Sequence, residues 1–219
     1  MKTYQVTIVG KTPLLMHQDN IDWADYMKEW EQNPDNKKQS KAGDDRTPAW
    51  RWLGSTYHNG NVVGIPSENL MRSIMEGGAM VLVPGGKMGK TFKSQTQSGM
   101  MSVDPLWELR INGRTIAWPA LEAMKDISSF AKHREQVRDL GFELFVKRAK
   151  VGTSKHIRVR PMFGAGWEIS GSLAVWDEQI EEKSLKQILA YAGQYKGLGD
   201  WRPGGKTPGP WGTFEATVE

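Results

Sequence analysis

The side chains in this chain whose types and spacing best suit chemistry are cations arranged to bind, not groups arranged to break bonds. His156, Arg158 and Arg160 alternate with Ile157 and Val159. In a strand, that spacing puts the three basic residues on one face and the apolar pair on the other. From Leu144 to Trp167 there is no acidic residue, while Lys147, Arg148, Lys150 and Lys155 fall in the same stretch. A row of this kind suits phosphates, because each phosphate neutralised releases a condensed counterion. A solvated sheet face normally mixes acids among its bases.

Further cations fall in four other places. Gly77 to Val103 is also free of acids and carries Lys87, Lys90 and Lys93 in a glycine-rich run. That run is not a nucleotide-binding P-loop, since Pro84 stands where the motif needs glycine. Lys37, Lys38, Lys41 and Arg46 lie in the polar, breaker-rich segment 33–49, which is expected to be a surface loop. Trp50-Arg51-Trp52 combines two indoles with a guanidinium. The rings either stack on bases at about 1–3 kcal/mol each or pack as two core tryptophans around a surface arginine. Trp201-Arg202, Lys206 and Trp211 repeat the combination within a glycine-rich tail, where the backbone can approach a phosphate closely.

Catalytic groups are sparse. There is no cysteine, which excludes disulfides, thiolate metal sites and cysteine nucleophiles. His17, His58, His133 and His156 show no metal-ligand spacing, and the acidic pairs Asp44-Asp45 and Asp19/Asp22 read as caps or solvated loop residues. His17, just after the first strand, is the one candidate general base. The expectation is a binding protein without metal or cofactor.

The elements that position these residues follow from periodicity. Tyr4, Val6 and Ile8 alternate with Thr3, Gln5 and Thr7 in a first strand. Residues 21–32 read as a helix. A short strand over 62–65 leads into a helix opened by Pro66 and Ser67, with Ser67 as expected cap, Leu70, Met71, Ile74 and Met75 as apolar stripe, and Gly77-Gly78 as stop. Residues 84–100 read as an extended loop or flexible hairpin, 106–118 as a hairpin around Asn112-Gly113, and 119–140 as weakly helical. Strands follow at 142–148, 156–160 and 167–176, then a helix at 182–195 with a possible capping box at Ser184 and Gln187, and a last strand at 212–218. Stripped of insertions, the order is strand, helix, strand, strand, helix, strand. That predicts an α+β class, ferredoxin-like antiparallel sheet with two helices, of the RNA-recognition-motif type. The expected layout is a single domain over 1–219, with a core of 1–10, 62–78 and 142–219 and insertions of 20–60 and 79–141.

The bulk numbers agree with a folded chain. Of 219 residues 38% are hydrophobic, ten are tryptophan, and the net charge is +4. Too much apolar area is present for a disordered chain. No run approaches the ~20 apolar residues that span a bilayer, and none of signal-peptide length opens the chain. A cytoplasmic location in a bacterial or phage-infected cell is expected, with no membrane partner.

Two segments resemble the RAMP superfamily, which includes the backbone subunits of CRISPR effector complexes. Ile65-Pro66-Ser67-Glu68-Asn69-Leu70-Met71-Arg72 is similar to the proline-led helix opening of that family. Gly197-Leu198-Gly199-Asp200-Trp201-Arg202, with Gly209-Pro210-Trp211-Gly212-Thr213-Phe214-Glu215, resembles its C-terminal glycine loop. Thr12-Pro13-Leu14-Leu15-Met16-His17 is similar to small phage and mobile-element relatives. The resemblance implies a protein that assembles along single-stranded RNA or DNA as a helical or ring filament of its own copies, with other effector or recombination subunits as further partners. A metal-independent ribonuclease of the same superfamily and a protein-only scaffold are the alternatives.

Overall fold

The computed structural model describes residues 1–219 apart from Lys38, Ser40, Lys41, Ala42, Met88 and Gly152, and the backbone alone of Val151. The expected contacts Lys38 and Lys41 therefore lie outside the described residues. In chain order the elements are β1 (Lys2–Gly10), β2 (Leu14–Leu15), α1 (Ile21–Gln32), α2 (Pro34–Lys37), β3 (Gly64–Pro66), α3 (Ser67–Gly78), α4 (Lys93–Ser98), β4 (Met100–Ser102), β5 (Leu106–Ile111) and β6 (Arg114–Thr115). They continue with α5 (Trp118–Glu122), α6 (Phe130–Asp139), β7 (Phe142–Val151), β8 (Ser154–Phe163), β9 (Glu168–Val175), α7 (Glu182–Tyr191) and β10 (Phe214–Val218). The chain divides into two compact units in place of the expected single domain. One comprises Met1–Leu14, Gly64–Thr115 and Gly164–Glu219, and the other Leu15–Val63 and Ile116–Phe163.

In the first unit the sheet runs β10-β1-β9-β5-β3, antiparallel throughout. The far edge of β9 is shared, with β5 bonded at its start and β4 at its end. Tyr4, Val6 and Ile8 of β1 are buried, as are Ile169, Leu173 and Val175 of β9. Against this layer lie Leu70 and Ile74 of α3 and Leu185, Ile188 and Leu189 of α7, each at most 1% exposed. Full burial of each such side chain contributes about 1.5–3 kcal/mol. The two helices approach closely where Gly77 faces the end of α7. A Cβ there would lie 2.8 Å from Ile188 O and from Ala192 N, so only glycine fits.

Several expectations are corrected in this unit. Ser67 is the first helical residue of α3 and makes no cap bond, the N-cap position being Pro66. The N-cap of α7 is Glu181, without a side-chain bond, so Ser184 and Gln187 form no capping box. Residues 93–98 are helical, not extended, because Phe92 and Thr96 are fully buried and anchor that segment. The strand beside β9 is β5, from the segment expected to lie in an insertion. Its Trp107 and Leu109 are fully buried, and Trp107 Nε1 donates to Ser102 Oγ at 2.8 Å.

The second unit holds the hairpin β7–β8, in a separate sheet of order β2-β8-β7. Residues 142–163 were expected in the core of the first sheet; alternation identified them as strands but carries no information on their partners. The far edge of β8 is taken by backbone from the segment expected to be a solvated loop. Asp45 N–H donates to Ile157 O (2.9 Å), and Ile157 N–H donates to Gly43 O (2.7 Å). Asp44 and Asp45 are buried there. Helix α1 begins at its Asn20 cap, whose Oδ1 accepts from Trp23 N–H at 3.0 Å. Its Trp23 ring leaves no room for a Cβ on Gly54, which would sit 1.9 Å from the indole. Trp52, Leu53, His133, Val137, Phe142 and Phe163 form the buried centre.

Candidate nucleic-acid interface

β7 and β8 are paired over ten residues each, from Phe142↔Phe163 to Val151↔Ser154. Opposed residues share a face, so Lys147 and Ala149 lie with His156, Arg158 and Arg160, while Arg148 and Lys150 lie with Lys155, Ile157 and Val159. The apolar face is buried only at the base of the hairpin, where Leu144 is 4% and Val159 2% exposed. Toward the tip, Lys147, Arg148, Lys150 and Lys155 are exposed, so cations occupy both faces. Lys150 stands directly opposite Lys155, and Lys147 opposite Arg158. Like charges directly opposite one another destabilise a sheet. At Lys150 and Lys155 the hairpin thus holds positive charge at a cost to its own folding.

Arg158 is not a free phosphate ligand. Its Nη1 lies 3.2 Å from Asp45 Oδ1 and 3.4 Å from Oδ2, and Arg51 Nε reaches the same carboxylate at 3.5 Å. Arg51 also pairs with Glu31 at 3.3 Å. Arg46 is held by Asp44 through two hydrogen bonds of 2.8 and 2.6 Å, which raise its pKa above its already high value. The reason is the backbone pairing of Gly43–Asp45 with β8, which brings two carboxylates beside the basic row from 113 residues away. His156 packs against Gly43, whose Cβ would fall 2.8 Å from its Nδ1. Arg160 is half-buried opposite Phe145. Lys37 ends α2 and is exposed.

Of the two roles open to Trp50 and Trp52, base stacking and core packing, burial leaves the second. Trp52 is 1% exposed, its Nε1 donates to His133 Nδ1 at 3.0 Å, and its ring meets Phe142 edge-on. Since Nδ1 accepts, the His133 proton sits on Nε2, which donates to Ile127 O at 2.9 Å. Burial lowers the pKa of His133 and keeps it neutral. Trp50 is 7% exposed within a cluster of Trp23, Tyr26 and Trp30. Both indoles bury too much apolar area to leave it in water.

His17 is exposed at the edge of a cleft of about 330 Å³ in this unit, lined also by Asp19, Lys28, Asp45, Arg51 and Arg158. The Tyr57 hydroxyl donates to the His17 carbonyl at 3.0 Å. Among the described residues no group of three or more potential ligands could hold a metal ion. No helix among them is long and apolar enough to cross a membrane.

In the first unit the outward face of the sheet carries Thr3, Gln5, Thr7 and Val9 beside Ser170, Ser172 and Thr217. It presents no aromatic ring to a base and no row of cations, so stacking on this face, the expected mode of an RNA-recognition motif, has no side chains to carry it. Lys87, Lys90 and Lys93 are exposed, with Lys90 Nζ 3.4 Å from Gln179 Oε1. The loop that carries Lys87 and Lys90 is closed by a bridge between Leu82 and Thr91, and Lys93 begins α4. In the glycine-rich tail Arg202 Nη1 donates to Glu76 Oε2 (2.9 Å) and to Lys196 O (3.0 Å). Burial alone would raise the Glu76 pKa, but Arg202 and Arg72 outweigh it and hold the carboxyl below its ordinary value. Arg202 is therefore an anchor of the tail. Trp201 and Trp211 are half-buried and Lys206 is exposed.

The structure thus gathers Lys147, Arg148, Lys150 and Lys155 on one hairpin and withdraws Arg46, Arg51, Arg158, Arg202, Trp50 and Trp52 into internal roles. Asp45 and Glu76, which decide that division, carry no local signal in the sequence. No protein-family model matches this chain, and no curated protein matches it.

Proposed function

We propose that this chain binds single-stranded nucleic acid, with the tip of the β7–β8 hairpin holding the phosphate backbone. The observation that carries this reading is the direct opposition of the exposed Lys150 and Lys155 near the tip, in a hairpin without a carboxylate from Leu144 to Phe163. A polyanion lowers the repulsion between Lys150 and Lys155 and gains the entropy of released counterions. The exposed Lys87, Lys90 and Lys93 form a second cationic contact on the other unit.

The antiparallel order β10-β1-β9-β5, with α3 following β1 and α7 following β9, supports a ferredoxin-like core and with it a RAMP-type protein. On that reading, copies of the chain assemble along one strand. Fluorescence anisotropy with labelled single-stranded RNA and DNA at low salt tests the proposal, and absence of binding to either would remove it.

A second reading has one observation of its own. His17 lines the same cleft as Lys28, Arg51 and Arg158, with the Tyr57 hydroxyl on its carbonyl, which suits a metal-independent ribonuclease. RNA cleavage that His17→Ala abolishes would favour it. Intact RNA after prolonged incubation would dispose of it.

A further inference from the structure

The segment that closes the far edge of β8 goes on to build a cavity. After Gly43 and Asp45 bond Ile157, the chain runs through Arg46, Pro48 and Trp50, which form one wall of a cavity of about 160 Å³ in the second unit. Trp30 of α1 and the turn that carries Lys125, Asp126 and Ser128 form the others. Six residues of chain separate Asp44 from Trp50, so the cavity lies within about 20 Å of the β8 edge. A cavity of about 150 Å³ accepts a single six-membered aromatic ring.

The walls are fixed by their own bonds. Arg46 is held by Asp44, and Asn36 Nδ2 donates to the Trp30 carbonyl at 3.2 Å. Lys125 Nζ lies 3.2 Å from Glu122 Oε1 and 4.7 Å from the centroid of the Trp23 ring. Trp30 meets Trp50 edge-on, at 6.1 Å between centroids and 84° between planes. An edge-on pair leaves each ring at least one face clear of its partner. Trp50 is 7% exposed and backs the cavity, whereas Trp30 is half-buried and gives it an accessible indole. At the rim Asp126 is exposed, and its carboxylate makes no hydrogen bond or ion pair within the chain. An ionised carboxylate accepts and cannot donate, so it selects a ring that carries an N–H group on the edge facing it.

We propose that this cavity holds one cytosine of a bound single strand, its ring against Trp30 and its N4 amino group donating to Asp126. The assignment rests on the nucleic-acid reading above. It adds a base preference that the cationic hairpin does not supply, since phosphate contacts carry no sequence information. Accepting from cytosine N4 is a regular base contact of Asp and Glu. Uracil and thymine put O4 at that position, and two acceptors repel. A purine, with its second fused ring, exceeds the cavity.

The test compares oligodeoxycytidine, oligodeoxyuridine and an abasic strand of equal length and charge by fluorescence anisotropy at neutral pH. The unaltered protein is expected to bind the cytidine strand about tenfold more tightly than the uridine strand. Asp126→Asn is expected to bring that ratio close to one, because an amide accepts from N4 and donates to O4 alike. Its melting temperature should match the parent's, since Asp126 is exposed and unpaired. Ultraviolet crosslinking of the cytidine strand to the unaltered protein reads the ring contact without any substitution, and the crosslinked peptide is expected to contain Trp30. Cytidine, uridine and abasic strands bound equally, a cytidine preference that survives Asp126→Asn, or crosslinks confined to other peptides overturn the cytosine site alone. No binding of any strand overturns both the site and the reading it rests on.

Discussion

Replacing Lys155 by glutamate separates a binding role from a structural one, because the two readings predict opposite signs. Lys150 and Lys155 are directly opposed and exposed. The substitution turns a repulsive cross-strand pair into an attractive one, a change that in exposed sheets lies within ~0.2–1 kcal/mol after solvent screening. Stability should rise by about 0.5 kcal/mol, or about 1–2 °C in the melting temperature of a chain of this length. Binding should move the other way. One lost phosphate contact removes about 0.7 from the slope of log affinity against log salt, which at about 0.1 M salt is roughly fivefold in affinity, and the new carboxylate adds repulsion. Differential scanning fluorimetry and anisotropy titration on the same preparation read both quantities. A variant that melts lower, or binds as the parent does, would show that the opposed lysines are not held for a polyanion.

The remaining predictions concern the residues that the structure withdraws from the interface. Trp52→Ala should cost about 3–5 kcal/mol of stability, read by denaturant unfolding, since it opens a cavity at a fully buried indole. Arg202→Ala should cost about 1 kcal/mol by leaving Glu76, at 21% side-chain exposure, with Arg72 as its remaining partner, yet leave the salt slope of binding unaltered. Burial holds both His133 and His58 below the ordinary histidine value of about 6.5. On acidification the unfolded chain takes up these protons first, so stability is present above about pH 6.5 and is lost as pH falls through the lower folded values. Melting temperature across that window checks this, and His133→Phe should flatten the slope, leaving the share that belongs to His58.

Periodicity made some of this legible and not the rest. The alternation of Tyr4, Val6 and Ile8 and the stripe of Leu70 and Ile74 located β1 and α3, and α1 spans the predicted residues 21–32. The Asn112-Gly113 pair predicts a hairpin, and Asn112 (φ 51) and Gly113 (φ 74) turn it. What alternation lacks is the identity of a strand's neighbour. Leu106–Ile111 and Phe142–Val151 are both half-apolar strands, and only the tertiary structure puts the first beside β9 and the second in a separate sheet. Charge has the same blind spot. The acid-free run from Leu144 to Trp167 identified the cationic hairpin, but Asp45 reaches Arg158 from 113 residues away. Trp50 and Trp52 suited either role until burial decided between them.

The most direct measurement is the affinity of the unaltered protein for a single strand across a range of salt concentrations. If Lys147, Arg148, Lys150 and Lys155 each neutralise one phosphate, log affinity should fall against log salt with a slope of about −3. An affinity indifferent to salt would contradict the account.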